Sequence, residues 1–87
     1  SINWTMGQNI PNPVIASTSI PYSVPQEGQV TFKVMSISGQ TLYTKEIRAL
    51  AGSHSIELDI NNLANGIYYY SMEYQGQSIV RKMTIQR

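Results

Sequence analysis

Few side chains in this sequence could perform acid–base or nucleophilic chemistry. His54 is the only histidine, and there is no cysteine. A catalytic triad needs a nucleophile, a base and an orienting group that converge from separate segments. Ser55 and Glu57 instead lie on the same predicted strand as His54, where adjacent side chains face opposite ways. No general acid and base pair is indicated by the spacing of the acidic residues, which are Glu27, Glu46, Glu57, Asp59 and Glu73. We therefore expect the chain not to be an enzyme.

The same inventory bears on metals and cofactors. Without cysteine there is no disulfide framework and no cysteine-based metal site. A single histidine cannot build a zinc site, and the carboxylates do not follow the spacing of a calcium-binding loop. We expect neither a metal nor a cofactor.

Charge and hydropathy exclude further classes of protein. The formal net charge is +1, and the basic residues are scattered apart from the adjacent Arg81 and Lys82, so we expect no binding to nucleic acid. No apolar run reaches membrane-spanning length, and no signal peptide is visible, so we expect no direct membrane insertion. The chain begins with Ser1 rather than methionine, which suggests a fragment of a larger protein or a processed product.

Short alternating runs separated by turns predict strands throughout. The clearest covers residues 29–37, and the others cover 18–24, 41–47, 53–60, 66–74 and 78–87, with a possible short edge strand before residue 9. Pro21 lies inside a run and predicts an edge strand or a bulge. No segment is typical of a helix, and about seven strands predict an all-β fold, an Ig-like antiparallel β-sandwich. The predicted inner face comprises Ile20, Tyr22, Val30, Phe32, Val34, Leu42, Ile56, Leu58, Tyr68, Tyr70, Met72 and Ile85.

The tyrosines of the penultimate strand allow two interpretations. Tyr68, Tyr70 and Tyr74 share one face of that strand, and Tyr69 lies on the other. They could form an exposed platform for sugar rings or peptide. The favoured interpretation places Tyr68 and Tyr70 in the core and leaves Tyr69 half-exposed.

Six short motifs occur in a fixed order. They are Gln8-Asn9-Ile10-Pro11-Asn12-Pro13, the runs at 20–25, 28–39 and 52–54, Leu63-Ala64-Asn65-Gly66-Ile67-Tyr68-Tyr69-Tyr70, and Arg81-Lys82-Met83. Together they resemble the C-terminal sorting domain of cargo of the type IX secretion system of Bacteroidota. The resemblance covers residues 6–87, so we expect residues 1–87 to form one C-terminal sorting domain of a larger secreted protein.

The resemblance implies a function. Such domains are Ig-like β-sandwiches that direct cargo from the periplasm through the outer-membrane translocon, with its shuttle components, to the cell surface or the extracellular space. A sortase-like signal peptidase usually removes the domain and couples the cargo to a surface lipopolysaccharide. The cleavage site would lie at or before the start of this sequence. The positions that match the family's recognition motifs are Gly66, Tyr68, Arg81, Lys82 and Met83, while Asn12 and Pro13 match its N-terminal motif.

Two modes of recognition fit the sequence. The terminal strand could add to a sheet of the translocon by β-augmentation, in which case deletion of residues 84–87 should leave cargo in the periplasm. Alternatively, a rigid patch around Tyr69, Arg81 and Lys82 could dock, although charged residues on a last strand usually protect a sheet edge from aggregation. An unpaired terminal strand could also form a dimer.

A second function is compatible with the residues. An Ig-like or fibronectin-like accessory module would bind carbohydrate or protein on behalf of a secreted enzyme. It would need an exposed aromatic platform, for which Trp4, Tyr43 and Tyr69 are the candidates.

Overall fold

Seven strands make up the regular structure of the chain. The computed structural model describes residues 4–10, residue 12 and residues 16–86. The strands are β1 (Thr5–Met6), β2 (Ser17–Val24), β3 (Gly28–Ser36), β4 (Thr41–Ala49), β5 (Gly52–Asp59), β6 (Gly66–Tyr74) and β7 (Gln77–Ile85). The described residues contain no helix, and hence none long and apolar enough to cross a membrane.

The strands form two antiparallel sheets that enclose one core. Sheet A has the order β1-β2-β5, and sheet B has the order β4-β3-β6-β7. Their inner faces meet in a single cluster of buried apolar side chains. The all-β antiparallel sandwich predicted from the spacing of the short strands is therefore confirmed.

Alternation of apolar and polar residues explains why β3 and β6 form the centre of sheet B. Val30, Phe32 and Val34 are completely buried, whereas Thr31 and Lys33 between them point outward. β6 follows the same rule, and Tyr70 and Met72 are fully buried opposite Val34 and Phe32. Further core residues that the predicted inner face did not include are Trp4, Met6, Val24, Ala49, Ile60, Tyr74 and Met83.

The position of Leu42 differs from the prediction. Leu42 is 40% exposed. The register explains the difference, because Tyr43 pairs with Val34 while Thr41 pairs with Met35, so Leu42 is an extra residue at a bulge. The inner face of β4 therefore carries Tyr43, Lys45, Ile47 and Ala49 in place of Leu42.

The expectation for Pro21 was also wrong. β2 is the central strand of sheet A, and its pairing with β5 has no bulge. Proline is tolerated there because its missing N–H faces the side of β1. On that side only its carbonyl is used, and it accepts a hydrogen bond from the Gly7 N–H at 2.7 Å.

Gly39 and Gly66 are positive-φ glycines that lie where strands begin or end. Gly39 has a φ of 95° in the hairpin between β3 and β4, where its N–H donates to the Ser36 carbonyl. Gly66 has a φ of 152° at the first position of β6. Side chains at these positions would strain the backbone, so both glycines fix strand geometry.

Candidate functional site

Tyr69 and Lys82 lie side by side on the outer face of sheet B. They are register partners on β6 and β7, and Met35 of β3 pairs with Tyr69 on the other side. The exposed side chains of Ile67 and Val80 flank this row, and Val80 is 56% exposed. We call Met35, Ile67, Tyr69, Val80 and Lys82 the outer-face patch.

Charges of both signs lie around the outer-face patch, and the lysines are nearest to it. Lys33 is aligned across the sheet with Ser71 and Val80. On this face, that row is next to the row of Tyr69 and Lys82. Glu73, the acidic residue of β6, lies one row further on. A shallow groove of about 250 Å³ crosses this part of the face between β3 and β7. The patch therefore offers an ammonium group, an aromatic ring and aliphatic side chains to a partner.

Arg81 does not belong to the outer-face patch. Adjacent residues of a strand face opposite ways, and Arg81 pairs in register with the buried Tyr70. Its Nε donates to the Met6 carbonyl at 2.7 Å and so connects β7 to β1 of the other sheet. The predicted patch of Tyr69, Arg81 and Lys82 is thus divided between two faces of the sheet.

The other predicted recognition residues of the last two strands lie within the framework of the fold. Met83 is completely buried and pairs in register with Tyr68. Tyr68 is half-buried, and its hydroxyl donates to the Ala64 carbonyl at 2.7 Å. Gly66 opens β6. These side chains and this turn position the strands that carry the outer-face patch.

The residues before β2 cover the free edge of β7. Asn12 Oδ1 accepts a hydrogen bond from the Thr84 N–H at 3.0 Å, and Gln8 Nε2 donates to the Lys82 carbonyl at 2.8 Å. Pro13, the second residue of the predicted N-terminal motif, lies outside the described residues. Asn12 and Gln8 therefore occupy backbone groups with which an added strand would pair.

Asn9 is a buried polar residue to which sequence reasoning assigned no role. It is 1% exposed, its N–H donates to the Tyr70 hydroxyl at 2.9 Å, and its Nδ2 donates to Thr18 Oγ1 at 3.1 Å. The Tyr70 hydroxyl in turn donates to the Gly7 carbonyl at 3.1 Å. Burial raises the pKa of the Tyr70 hydroxyl, while the Asn9 hydrogen bond and the Arg81 charge act in the opposite direction. The signal was present, because Asn9 stands within the first motif.

His54 has a structural environment. The half-buried ring stacks on Tyr22 with centroids 5.3 Å apart, and its Nε2 lies 2.6 Å from the Leu50 carbonyl oxygen. Glu57 accepts a hydrogen bond from the Ser19 hydroxyl instead. Within the part of the chain that the structure describes, no three or more His, Asp or Glu side chains lie where they could hold a metal ion.

The aromatic residues of the alternative function do not come together. Trp4 is 8% exposed and packs against Tyr74, with ring centroids 5.7 Å apart. Tyr43 lies on the inner face of sheet B, where its ring contacts the edge of Phe32, whereas Tyr69 lies on the outer face. No common platform for a sugar or a peptide results, so the accessory-module interpretation is not favoured.

Comparison with known proteins supports the resemblance seen in the motifs. The family model described as the secretion system C-terminal sorting domain matches residues 9–86. No curated protein gives a significant match. The matched residues span all of β2 to β7, and the family consists of sorting signals for type IX secretion cargo rather than enzymes. The chain belongs to the family of secretion system C-terminal sorting domains and is a sorting signal that directs cargo of the type IX system to the cell surface or the extracellular space.

Proposed function

We propose that the outer-membrane translocon, or one of its shuttle components, recognises this domain through the outer-face patch. The observation that carries the proposal is the adjacency of Tyr69 and Lys82 on a face that no other described element covers. Tyr69 lies on β6 and Lys82 on β7, the two strands that carry the last two of the six motifs. The component of the type IX machinery that binds this domain meets a surface held in place by the four paired strands of sheet B.

The chemistry of the patch defines what the partner must supply. Val80 and Ile67 offer apolar contact area, the Tyr69 ring offers a large face with few rotatable bonds, and Lys82 offers a positive charge. Aromatic residues of this kind dominate interface energies, while charges at the rim guide orientation and association rate. We therefore expect a partner surface with an apolar centre and a carboxylate placed to pair with Lys82.

Capping of β7 favours docking on the face over addition to the full terminal strand. Strand addition at the Lys82 and Thr84 positions would require displacement of the Gln8 and Asn12 side chains from the edge. A dimer through the terminal strand would meet the same obstacle and stays a prediction. Docking on the outer face leaves these bonds intact.

The wider proposal follows the family. Residues 1–87 are one C-terminal domain of a larger secreted protein of a member of the Bacteroidota, and the domain itself has no catalytic activity. The cargo crosses the periplasm, the translocon exports it, and a sortase-like signal peptidase then releases it from the domain for attachment at the cell surface. The single core shared by both sheets supports a domain that folds independently of its cargo.

The test of the outer-face patch uses the domain fused to a reporter with a periplasmic signal in a secretion-competent host. Lys82→Ala and Tyr69→Ala should lower the secreted fraction several-fold, because each removes a group that contacts the partner. Lys82→Ala should change the free energy of unfolding by less than about 0.5 kcal/mol, since exposed substitutions are usually this small. Urea unfolding of the purified domain and assay of the medium measure the two effects.

The matched control is Arg48→Ala. Arg48 is an exposed base of the same sheet, and its ion pair with Glu27 is at the surface. This variant should be secreted normally. Normal secretion of both Lys82→Ala and Tyr69→Ala would overturn the proposal, and so would a loss of secretion that follows the loss of folded protein.

Point substitutions are preferable to truncation for this test. Deletion of residues 84–87 removes Ile85, which is 1% exposed and part of the core. The truncated domain would lose stability as well as any recognition element. A secretion defect of that variant would not separate the two causes.

A further inference from the structure

The two sheets differ in width, and the difference leaves part of sheet B uncovered. On one side the edge strand of sheet A lies above the edge strand of sheet B, because Met6 of β1 accepts a hydrogen bond from Arg81 of β7. Sheet A has three strands and sheet B has four. On the other side β4 extends beyond β5. Among the described residues the inner side of β4 is therefore exposed at Tyr43, which is 41% exposed, and at Lys45.

Within the described residues, the backbone of β5 presents an unpaired edge beside this uncovered face. Pro21 and Ser19 of β2 bond to Gly7 and Ile10, so the odd-numbered residues of β2 face away from β5. The even-numbered residues of β2 must then bond to β5, and their register partners in β5 are also even-numbered. The residues of β5 that direct N–H and C=O groups away from the sheet are consequently Ser53, Ser55, Glu57 and Asp59.

Apolar side chains lie beneath this edge. Leu42 and Tyr43 of β4 and Leu58 at the end of β5 line a shallow cavity of about 120 Å³, together with the half-buried Leu63. Strands pair about 4.8 Å apart and sheets pack about 10 Å apart. A strand added to β5 would therefore lie above β4, with its inward side chains against Leu42 and Tyr43.

We infer that the groove between the β5 edge and the inner face of β4 binds an extended segment of the secretion machinery in which aliphatic residues alternate with basic residues. The aliphatic side chains cover Leu42 and Tyr43. The basic side chains face the opposite way and complement Glu57 and Asp59, which point outward along the same edge. The added strand gives the sandwich two sheets of equal width and pairs the free backbone groups of β5.

The other edges of the sandwich are less suited to such a partner. The free edge of β7 is capped at Lys82 and Thr84 by side chains. β4 carries the charged run Lys45, Glu46 and Arg48, a feature that discourages strand addition. The inference rests on the proposed function only in naming the secretion machinery as the source of the strand, and the groove lies on the opposite face of sheet B from the outer-face patch.

Hydrogen exchange of the isolated domain tests where an extended peptide binds. The ligand is a short synthetic peptide that alternates valine and lysine, and the control peptide alternates valine and glutamate. The amides of Ser53, Ser55 and Glu57 should exchange about tenfold more slowly when nine tenths of the domain has bound the valine–lysine peptide, since only the free fraction then exchanges. The amides of Ser78 and Val80 on the β7 edge should be unaffected.

Two pairs of variants locate the contact. Tyr43→Lys adds a second charge beside Lys45 on the inner face of β4, and Thr44→Lys places the same charge on the outer face of β4. Ser55→Pro removes an N–H that faces the free edge, and Ser55→Ala keeps it. Tyr43→Lys and Ser55→Pro should abolish peptide protection and lower reporter secretion several-fold, while Thr44→Lys and Ser55→Ala should behave like the parent domain.

The outcomes separate this inference from the proposed function. Slower exchange at the β4 or β7 edge, or no slowing at β5, would overturn the groove assignment. Dimerisation of the domain alone through the β5 edge would assign the groove to a second copy and would also overturn it. Normal secretion of Ser55→Pro together with a defect of Lys82→Ala would reject the groove and retain the outer-face patch, and the reverse result would do the opposite.

Discussion

The two edge strands of sheet B, β4 and β7, have the same length but very different surroundings. Each has nine residues and pairs with one neighbour. In β7 the inward residues Met83 and Ile85 are almost completely buried, and side chains cap the free edge. In β4 every residue from 41 to 46 is exposed. Position at a sheet edge therefore does not by itself determine how much of a strand is covered.

The cause of the difference is the path of the chain before β2. Its described residues run along β7 in the same direction and form hydrogen bonds with it through the pairs Trp4–Gln77, Met6–Arg81, Gln8–Lys82 and Asn12–Thr84. β4 has no comparable companion in the described part of the chain. The inner side of β7 thus belongs to the core, whereas the inner side of β4 is partly open to solvent at Tyr43.

The largest expected effect contrasts inward residues on the two sides. Met83→Ala should lower the free energy of unfolding by about 2–5 kcal/mol, because it removes a fully buried side chain and leaves a cavity. Tyr43→Ala should cost only about 1 kcal/mol, because much of that side chain already contacts water. Urea unfolding of both variants measures the difference. Equal costs would contradict the view that β7 is the closed side.

Sequence alone predicted the parts of this contrast that depend on strict alternation. The cores of β3 and β6 follow the period of two, and so does the separation of Tyr69 from Tyr70. The same period places Arg81 and Lys82 on opposite faces, although their adjacency in sequence suggested one patch. Successive side chains of a strand point to opposite faces of the sheet, so two adjacent charged residues in a strand do not form one surface patch.

Other parts depend on contacts that a single strand does not encode. Leu42 was predicted in the core but lies at a bulge opposite Val34 and Met35. A bulge depends on the register between two strands. Pro21 fits a central strand because β1 is only two residues long. Capping by Asn12 joins residues that are 72 positions apart. No local pattern predicts such a contact.

Alkaline pH should weaken the link between Tyr70 of β6 and the residues that precede β2. Burial raises the pKa of the Tyr70 hydroxyl above its ordinary value of 10.0. A group whose folded-state pKa is raised contributes fully below its unfolded pKa, and the contribution is lost as the pH rises through the folded pKa. The free energy of unfolding should therefore be steady near neutral pH and should fall above pH 10.0.

Tyr70→Phe is the control for this pH dependence. The variant lacks the hydroxyl that bonds to Asn9 and Gly7, so it should be less stable than the parent at neutral pH. It should also lose less stability between neutral and alkaline pH. An alkaline loss of the same size in both proteins would assign the effect to other groups, of which Tyr22 is one, because burial raises its pKa as well.

The smallest expected effect concerns the cap itself. Asn12→Ala removes the acceptor of the Thr84 N–H and should lower the free energy of unfolding by about 0.5–1.5 kcal/mol, the usual net value of a hydrogen bond. The Thr84 amide should also exchange faster. The Val80 amide is an internal reference, because its N–H faces the same free edge and donates to no capping side chain among the described residues, so its exchange should not change.

Asn12→Asp completes the test of the cap, because aspartate keeps an oxygen acceptor at the same position. Protection of the Thr84 amide should return in this variant, whereas a merely structural role for the amide side chain would leave it lost. Unchanged Thr84 exchange in Asn12→Ala would show that the capping bond does not hold the β7 edge. The edge of β7 would then depend on the Gln8 bond to the Lys82 carbonyl, and the contrast between the two sides of the sandwich would rest mainly on burial.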